Sequence, residues 1–438
     1  MKKYFFILLT LSAALTTYAQ NEPKFQKIDS VLNYFTANDK FMGSVTIREK
    51  DMVVFEKAYG YADVENKVKA NVDTKYKIGS ITKMFTSAII FQLIEEKKLT
   101  LDTKLAEYFP QIKNADSISI KNLLNHSSGI YNFTNDSLFM DYAEIPQTRK
   151  AMLQRITDYG SVFNPNEKAD YSNSNYLLLG YIIEDITKKR YKDVVAERII
   201  KKINLKNTYY YGKINPKRNE AYSYSFDGTA WEKQEEWHES VAFAAGALQS
   251  TPTDLTKFIR ALFEGAIIKK ESLEEMKMMD FGYGKGIFIF PFGERRFYGH
   301  DGSIEGFASI LGYYPKDEMS IAMTINGENY DSNQILIGVL SSYYKVPYRL
   351  PNLKTAQVAT EILKSYEGIY ASPTIPLKIT IKLEDNQLMA QATGQGSFPL
   401  NPLSDTEFNF EPAGITVNFK ENGFTIHQGG TVNVFTRE

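Results

Sequence analysis

The sequence predicts an α+β fold: an antiparallel sheet flanked by helices and carrying a helical insertion, followed by a small all-β domain. Three observations predict it. Runs of β-branched and aromatic residues lie near both ends of the first 345 residues, at 43–61 and at 296–325, and the stretch between them shows helical periodicity. After residue 354 the pattern becomes a single apolar/polar alternation. Strands at both ends of one segment assemble most economically into one sheet with the helices inserted, and a tail of short alternating strands makes a barrel or sandwich of its own.

Composition bounds the chemistry. A chain of 438 residues with 43% hydrophobic and 24% charged side chains is globular, and single cores stop growing near roughly 250–300 residues, so two domains are expected. Lysine and arginine total 51 against 52 acidic residues, a net charge of -1 that provides no general attraction to nucleic acid or anionic membranes. With no cysteine, disulfides, thiolate metal sites and a cysteine nucleophile are excluded, and reactivity must come from oxygen and nitrogen groups.

Taken in order, residues 1–19 have the layout of a secretory signal peptide: Lys2 and Lys3, an apolar run over 4–15, then Ala19 at the expected cleavage point. The apolar run is shorter than the roughly 20 residues a membrane span needs, so the expectation is export, periplasmic or secreted, with no stable membrane anchor after cleavage. In 24–38, Phe25, Ile28, Val31, Leu32 and Phe35 recur at helical spacing. Residues 43–49 and 52–61 read as a hairpin around Lys50 and Asp51. Residues 80–97 are apolar round most of a helical circumference, as in a helix buried inside a large domain. The region 99–275 is mainly helical, with clear patterns at 176–187 and 255–263; strands follow at 296–298, 307–314 and 319–325, then a helix at 335–344. These elements make a main domain of residues 20–346, a linker at 347–354 carrying Pro347 and Pro351, and a small β-barrel-like domain at 355–438, with alternation through Leu377, Ile379, Ile381 and Leu383, then Leu388, Ala390 and Ala392.

Ser80 and Lys83 place a hydroxyl and an amine on one face of a helix start. A serine is a weak nucleophile until a base takes its proton, and a lysine becomes that base if burial depresses its pKa. The spacing alone also describes a capping serine with a solvated lysine, and roughly two or three such pairs arise by chance. Ser342 and Lys345 are a second copy, late in an apolar helix, and read as structural. Tyr171, Ser172 and Asn173 form the only Tyr-x-Asn triplet, just before an apolar helix, and Gly299, His300, Asp301, Gly302 and Ser303 lie at a strand end. No Gly-x-Ser-x-Gly elbow, phosphate loop or dinucleotide fingerprint is present, and no histidine has partners at metal-ligand spacing.

In this order the three motifs make the chain resemble the penicillin-recognising serine hydrolases: class C β-lactamases, D,D-peptidases, D-amino-acid peptidases and related esterases. The stretches LLNHSSG at 123–129 and AAGALQSTPTD at 244–254 are similar to that family's usual surroundings, and the resemblance covers about residues 30–345. It implies a β-lactamase/transpeptidase-like fold with catalytic Ser80 (the acylated nucleophile), Lys83 (its base) and Tyr171 (a proton relay). It implies substrate-binding roles for Asn173, His300, Gly302 and Ser303, with the backbone N–H groups of Ser80 and Ser303 as oxyanion hole, and neither metal nor cofactor. His300 stands where β-lactamases carry lysine; with an unperturbed pKa it is largely neutral at pH 7, and Asp301 beside it repels anions. The expectation is therefore an exported serine hydrolase acting through an acyl-enzyme on a small-molecule or peptide amide or ester, such as a D-amino-acid peptide or small ester. A true class C type β-lactamase and a binding or sensor protein without turnover are the alternatives.

Overall fold

Phe25, Ile28, Val31, Leu32 and Phe35 form one buried stripe, and the helix they define runs Pro23–Ala37, with its proline in the first turn where a missing N–H costs nothing. This computed structural model describes residues 22–353, 356–410, 413–428 and 431–438, so the expected signal peptide at 1–19 and the last linker residue, 354, lie outside the described residues.

The hairpin Phe41–Glu49/Met52–Tyr59 follows, turning at Lys50 in the left-handed region (φ 52). The expected second strand stops short of 61, because Gly60 turns the chain (φ 74) before Tyr61–Asp63. The main sheet runs in the order Phe288–Phe292, Arg295–Ile304, Phe307–Tyr314, Met319–Glu328, Phe41–Glu49, Met52–Tyr59. Every neighbouring pair is antiparallel, and the closure of the two ends is in register, Val45 facing Met323 and Ile47 facing Ile321.

Strand alternation sends side chains to two faces. Phe55 stacks on Phe25 of the first helix at 6.1 Å, while Thr46 bonds Thr253 at 3.0 Å on the helix Pro252–Phe263. The helical insertion lies between the two strand groups in sequence. At its centre is Thr82–Glu95, buried on nearly every side from Thr82 to Leu93, with Phe85 stacked on Phe258 at 3.7 Å. Each large apolar side chain so buried contributes about 1.5–3 kcal/mol.

Two expectations need correction. The strand expected at 296–298 runs Arg295–Ile304, so the His300–Ser303 motif sits inside it; glycines and Asp301 are poor strand formers, but Phe307–Tyr314 pairs with each of them (His300 with Leu311, Gly302 with Ser309). The strand Phe288–Phe292 was not anticipated because it holds Pro291, which a sheet admits at an edge, where this strand lies.

The chain divides into two compact units, the second being Tyr348–Glu438. In it eight antiparallel strands, from Gly368–Ala371 to Thr431–Arg437, close into a barrel whose first and last strands pair. Its interior is filled by Tyr370, Leu388, Leu400, Phe408, Phe424 and Phe435. Ser397–Pro402, holding Pro399 and Pro402, is a barrel strand that alternation alone did not reveal. Among the described residues no helix is long and apolar enough to cross a membrane.

Candidate active site

The turn that carries Ser80 depends on two glycines. Gly79, with φ +47, opens the 3-10 turn Gly79–Ile81 that leads into Thr82–Glu95, and a Cβ there would sit 2.9 Å from Ser303 N. A Cβ on Gly302 would lie 2.2 Å from Ile78 O and 3.0 Å from Ser80 N. Only unsubstituted α-carbons let these backbones meet, the segment that carries Ser80 against the strand that carries Ser303.

Lys83 follows one turn later and is fully buried. Its amine reaches Asn173 Oδ1 at 2.7 Å, Ala245 O at 2.9 Å and Ser80 Oγ at 2.9 Å. The Asn173 amide is oriented by its Nδ2, which donates to Thr134 Oγ1 at 3.1 Å. Two of the three partners can therefore only accept, and a neutral amine has two N–H bonds for them, leaving its lone pair for the serine hydroxyl. Burial drives Lys83 in that direction, holding its pKa well below the ordinary lysine value, with the Asp301 charge opposing weakly.

Tyr171 donates its phenol proton to Ser80 Oγ at 2.8 Å. Burial raises its pKa, so it stays protonated. Its ring is held by His126, tilted at 30° with the ring centres 4.4 Å apart, whose Nδ1 accepts the Ser172 N–H at 3.1 Å. Burial lowers the His126 pKa as well, and the neutral ring works as a prop for the Tyr171–Asn173 turn.

His300 departs from its sequence reading. It is 2% exposed and packs against Phe288 at 4.3 Å between ring centres, and burial lowers its pKa to about 4 rather than leaving it near neutrality. Its Nδ1 lies 2.5 Å from Asp301 O. A carbonyl only accepts, so the hydrogen is on Nδ1, and Nε2 is a buried acceptor with no partner among the described residues. Asp301 itself points outward, its side chain 75% exposed.

Several features of the site have no signature in the sequence. Phe133, Phe139, Trp237, Val241 and Ile304 line an apolar cleft that opens on Ser80, Asn173 and Ser303. Phe243 adopts φ 37, ψ −129 inside Glu239–Gly246, a conformation costly for a residue with a side chain. Its ring is held between Tyr181 at 4.9 Å and Tyr191 at 5.2 Å, and the strained bend aims the next two carbonyls inward, Ala244 O to Thr86 Oγ1 and Ala245 O to Lys83. Strain of this kind is invisible to composition or spacing.

An antiparallel sheet split by a helical insertion, with a serine at the head of its buried helix, places the protein among the penicillin-recognising hydrolases. Residues 36–338 match the family described as Beta-lactamase, and the chain belongs to that family. It is 27% identical over 319 residues to a teichoic acid D-alanine hydrolase of Staphylococcus aureus (strain MRSA252), covering 71% of this chain and 76% of the relative. Against a second Staphylococcus aureus teichoic acid D-alanine hydrolase, identity is 31% over 242 residues, and the chain spans 58% of its length. The D-amino acid amidase of Ochrobactrum anthropi SV3, solved with L-phenylalanine amide, superposes with TM-score 0.66 at 26% identity, covering 74% of this chain and 99% of that one. An octameric penicillin-binding protein homologue from Pyrococcus abyssi gives TM-score 0.69 at 25% identity over 94% of this chain and 99% of its own.

Proposed function

We propose that the protein is a serine hydrolase that forms an acyl-enzyme on Ser80 and cleaves an ester or amide of a D-amino acid. The observation that carries this reading is the Lys83 amine: two acceptors occupy its hydrogens, burial disfavours its charged form, and its remaining contact is Ser80 Oγ at 2.9 Å. In the reaction Lys83 takes the hydroxyl proton as Oγ attacks the carbonyl, and the oxyanion is met by the Ser80 and Ser303 N–H groups. Tyr171, which donates to Oγ, returns a proton to the leaving group and is re-supplied by the Lys83 ammonium. Water then enters by the same route in reverse. Asn173 holds the acyl side against the apolar wall.

The substrate class rests on the relatives, whose names both specify a D-amino acid. A neutral His300 beside an exposed Asp301 supplies no fixed cation for a substrate carboxylate, which disfavours rapid β-lactam turnover. Residues 1–19 support placing the enzyme outside the cytoplasm.

The test is intact-mass measurement of the purified protein with a D-alanyl ester, a D-amino-acid amide and a cephalosporin. The ester and the amide should leave an acyl group that turns over, and Ser80→Ala should take none while keeping its fold, since the hydroxyl makes two hydrogen bonds, to Lys83 and Tyr171, of about 0.5–1.5 kcal/mol net each. Turnover by Ser80→Ala overturns the assignment.

A further inference from the structure

One buried cation near the site has no part in the chemistry. Lys77 ends the short strand Tyr76–Lys77, three residues before Ser80, and its side chain is 1% exposed. Its ammonium lies 2.6 Å from Glu305 Oε1, 3.5 Å from Glu236 Oε2 and 4.4 Å from the centre of the Tyr211 ring. Glu305, whose side chain is fully buried, is the first residue beyond Arg295–Ile304 and stands two after Ser303, in the left-handed conformation (φ 54). Its Oε1 also accepts the Trp237 N–H at 2.7 Å, and Glu236 Oε2 accepts the Ile214 N–H at 2.8 Å.

Burying such charges is expensive, and apolar residues of equal volume commonly stabilise a fold as well or better. What the charges supply instead is direction: short bonds that fix the spacing of the groups they join. The segments joined here are the one that carries Ser80, the one that carries Ser303, and the cleft wall at Trp237.

We propose that Lys77, Glu305 and Glu236 form a clamp of positioning residues that sets the separation of the Ser80 and Ser303 N–H groups and seats Trp237 against the acyl side of the substrate. The clamp rests on the reading of those two N–H groups as the oxyanion hole. Misplacement of reacting groups by about 1 Å costs up to about a hundredfold in rate, so a slack clamp lowers kcat for every substrate, including esters too small to reach Trp237.

The test uses the full chain and p-nitrophenyl acetate. Lys77→Met/Glu305→Gln removes the closest charge pair while keeping volume and an oxygen for the Trp237 N–H, and leaves the more exposed Glu236 its bond from the Ile214 N–H. The variant should still unfold cooperatively while kcat falls about ten- to a hundredfold with KM little changed. Glu305→Asp keeps the charge but withdraws the carboxylate by one carbon–carbon bond, so Lys77 and Trp237 cannot both be held, and kcat should stay at least about tenfold low. A merely structural ion pair would be rescued by Asp, and wild-type kcat in either folded variant overturns the clamp. If the double variant does not fold, Glu305→Asp decides alone. Failure of the wild type to acquire an acetyl group on Ser80 would instead sink the reading of the site.

Discussion

Lys83, the proposed base, is fully buried, and its burial has a thermodynamic signature. With its folded pKa depressed, the unfolded chain binds a proton that the folded chain lacks at every pH between the folded value and about 10.5, so stability falls as pH falls through that window. One proton is worth about 1.4 kcal/mol per pH unit. Lys83→Met lacks this term. Thermal unfolding of the two proteins as the pH is lowered from 10 should show the variant gaining stability on wild type, by at most about that increment per unit, while its acylation rate drops at least about a hundredfold. Parallel Tm curves would mean that Lys83 is charged when folded. A rate profile extended down to pH 5 should carry no ionisation near 6.5 from His300, which is lowered to about 4. Ser80, Lys83, Tyr171 and Asn173 were legible through the ordered motifs that carry the family resemblance, since the spacing alone also describes a capping serine, and the fold links all four by hydrogen bonds across 90 residues of sequence. Phe243 and Trp237 were not, because a strained dihedral and a cleft wall belong to tertiary packing and leave no pattern in a window of sequence.

Among the elements, the strand Arg295–Ile304 carries Ser303, one of the two proposed oxyanion donors, against the turn of the other. Gly302→Ala puts a methyl group 2.2 Å from Ile78 O, and the strand must retreat from the nucleophile turn. Acylation should fall by about 10²–10³, the loss expected for one oxyanion donor, with the fold retained because the retreat is local. Unchanged acylation would show that this contact does not shape the site. Helices were read more accurately than strands here. The periodicities at 176–187 and 255–263 lie within the helices Asn173–Thr187 and Pro252–Phe263, whereas Pro291, Pro399 and the glycines around His300 masked strands that neighbouring strands impose.

For the molecule as a whole, each of the two compact units has its own apolar core: the barrel buries Leu400 and Phe408 completely, and the larger unit is centred on the Thr82–Glu95 helix. A chain ended at Pro347 should therefore unfold cooperatively and hydrolyse a small ester at a rate within about threefold of the full chain. An insoluble or non-cooperatively melting product would show that the barrel completes the larger core. The α+β class was readable from the placement of strand patterns at the two ends, and a small all-β domain, barrel or sandwich, from alternation; its Gly368–Ala371 strand, which pairs with the last strand to close the barrel, is too short to stand out.

That two-ended sheet also constrains how the polypeptide can be made. Phe41–Glu49 needs Met319–Glu328 as a neighbour, and 270 residues separate Glu49 from Met319 (319 − 49). At about 5–20 residues per second a ribosome takes roughly 14–54 s to supply them, and a lone two-stranded hairpin is marginal in water. Through that interval Phe41, Met42, Val45 and Ile47, all buried in the finished sheet, wait beside an open strand edge, the kind of surface on which nascent chains aggregate. Folding of this unit is thus deferred until its synthesis is nearly complete, and a chaperone that masks the first sixty residues should raise the yield more than one that acts on the finished chain.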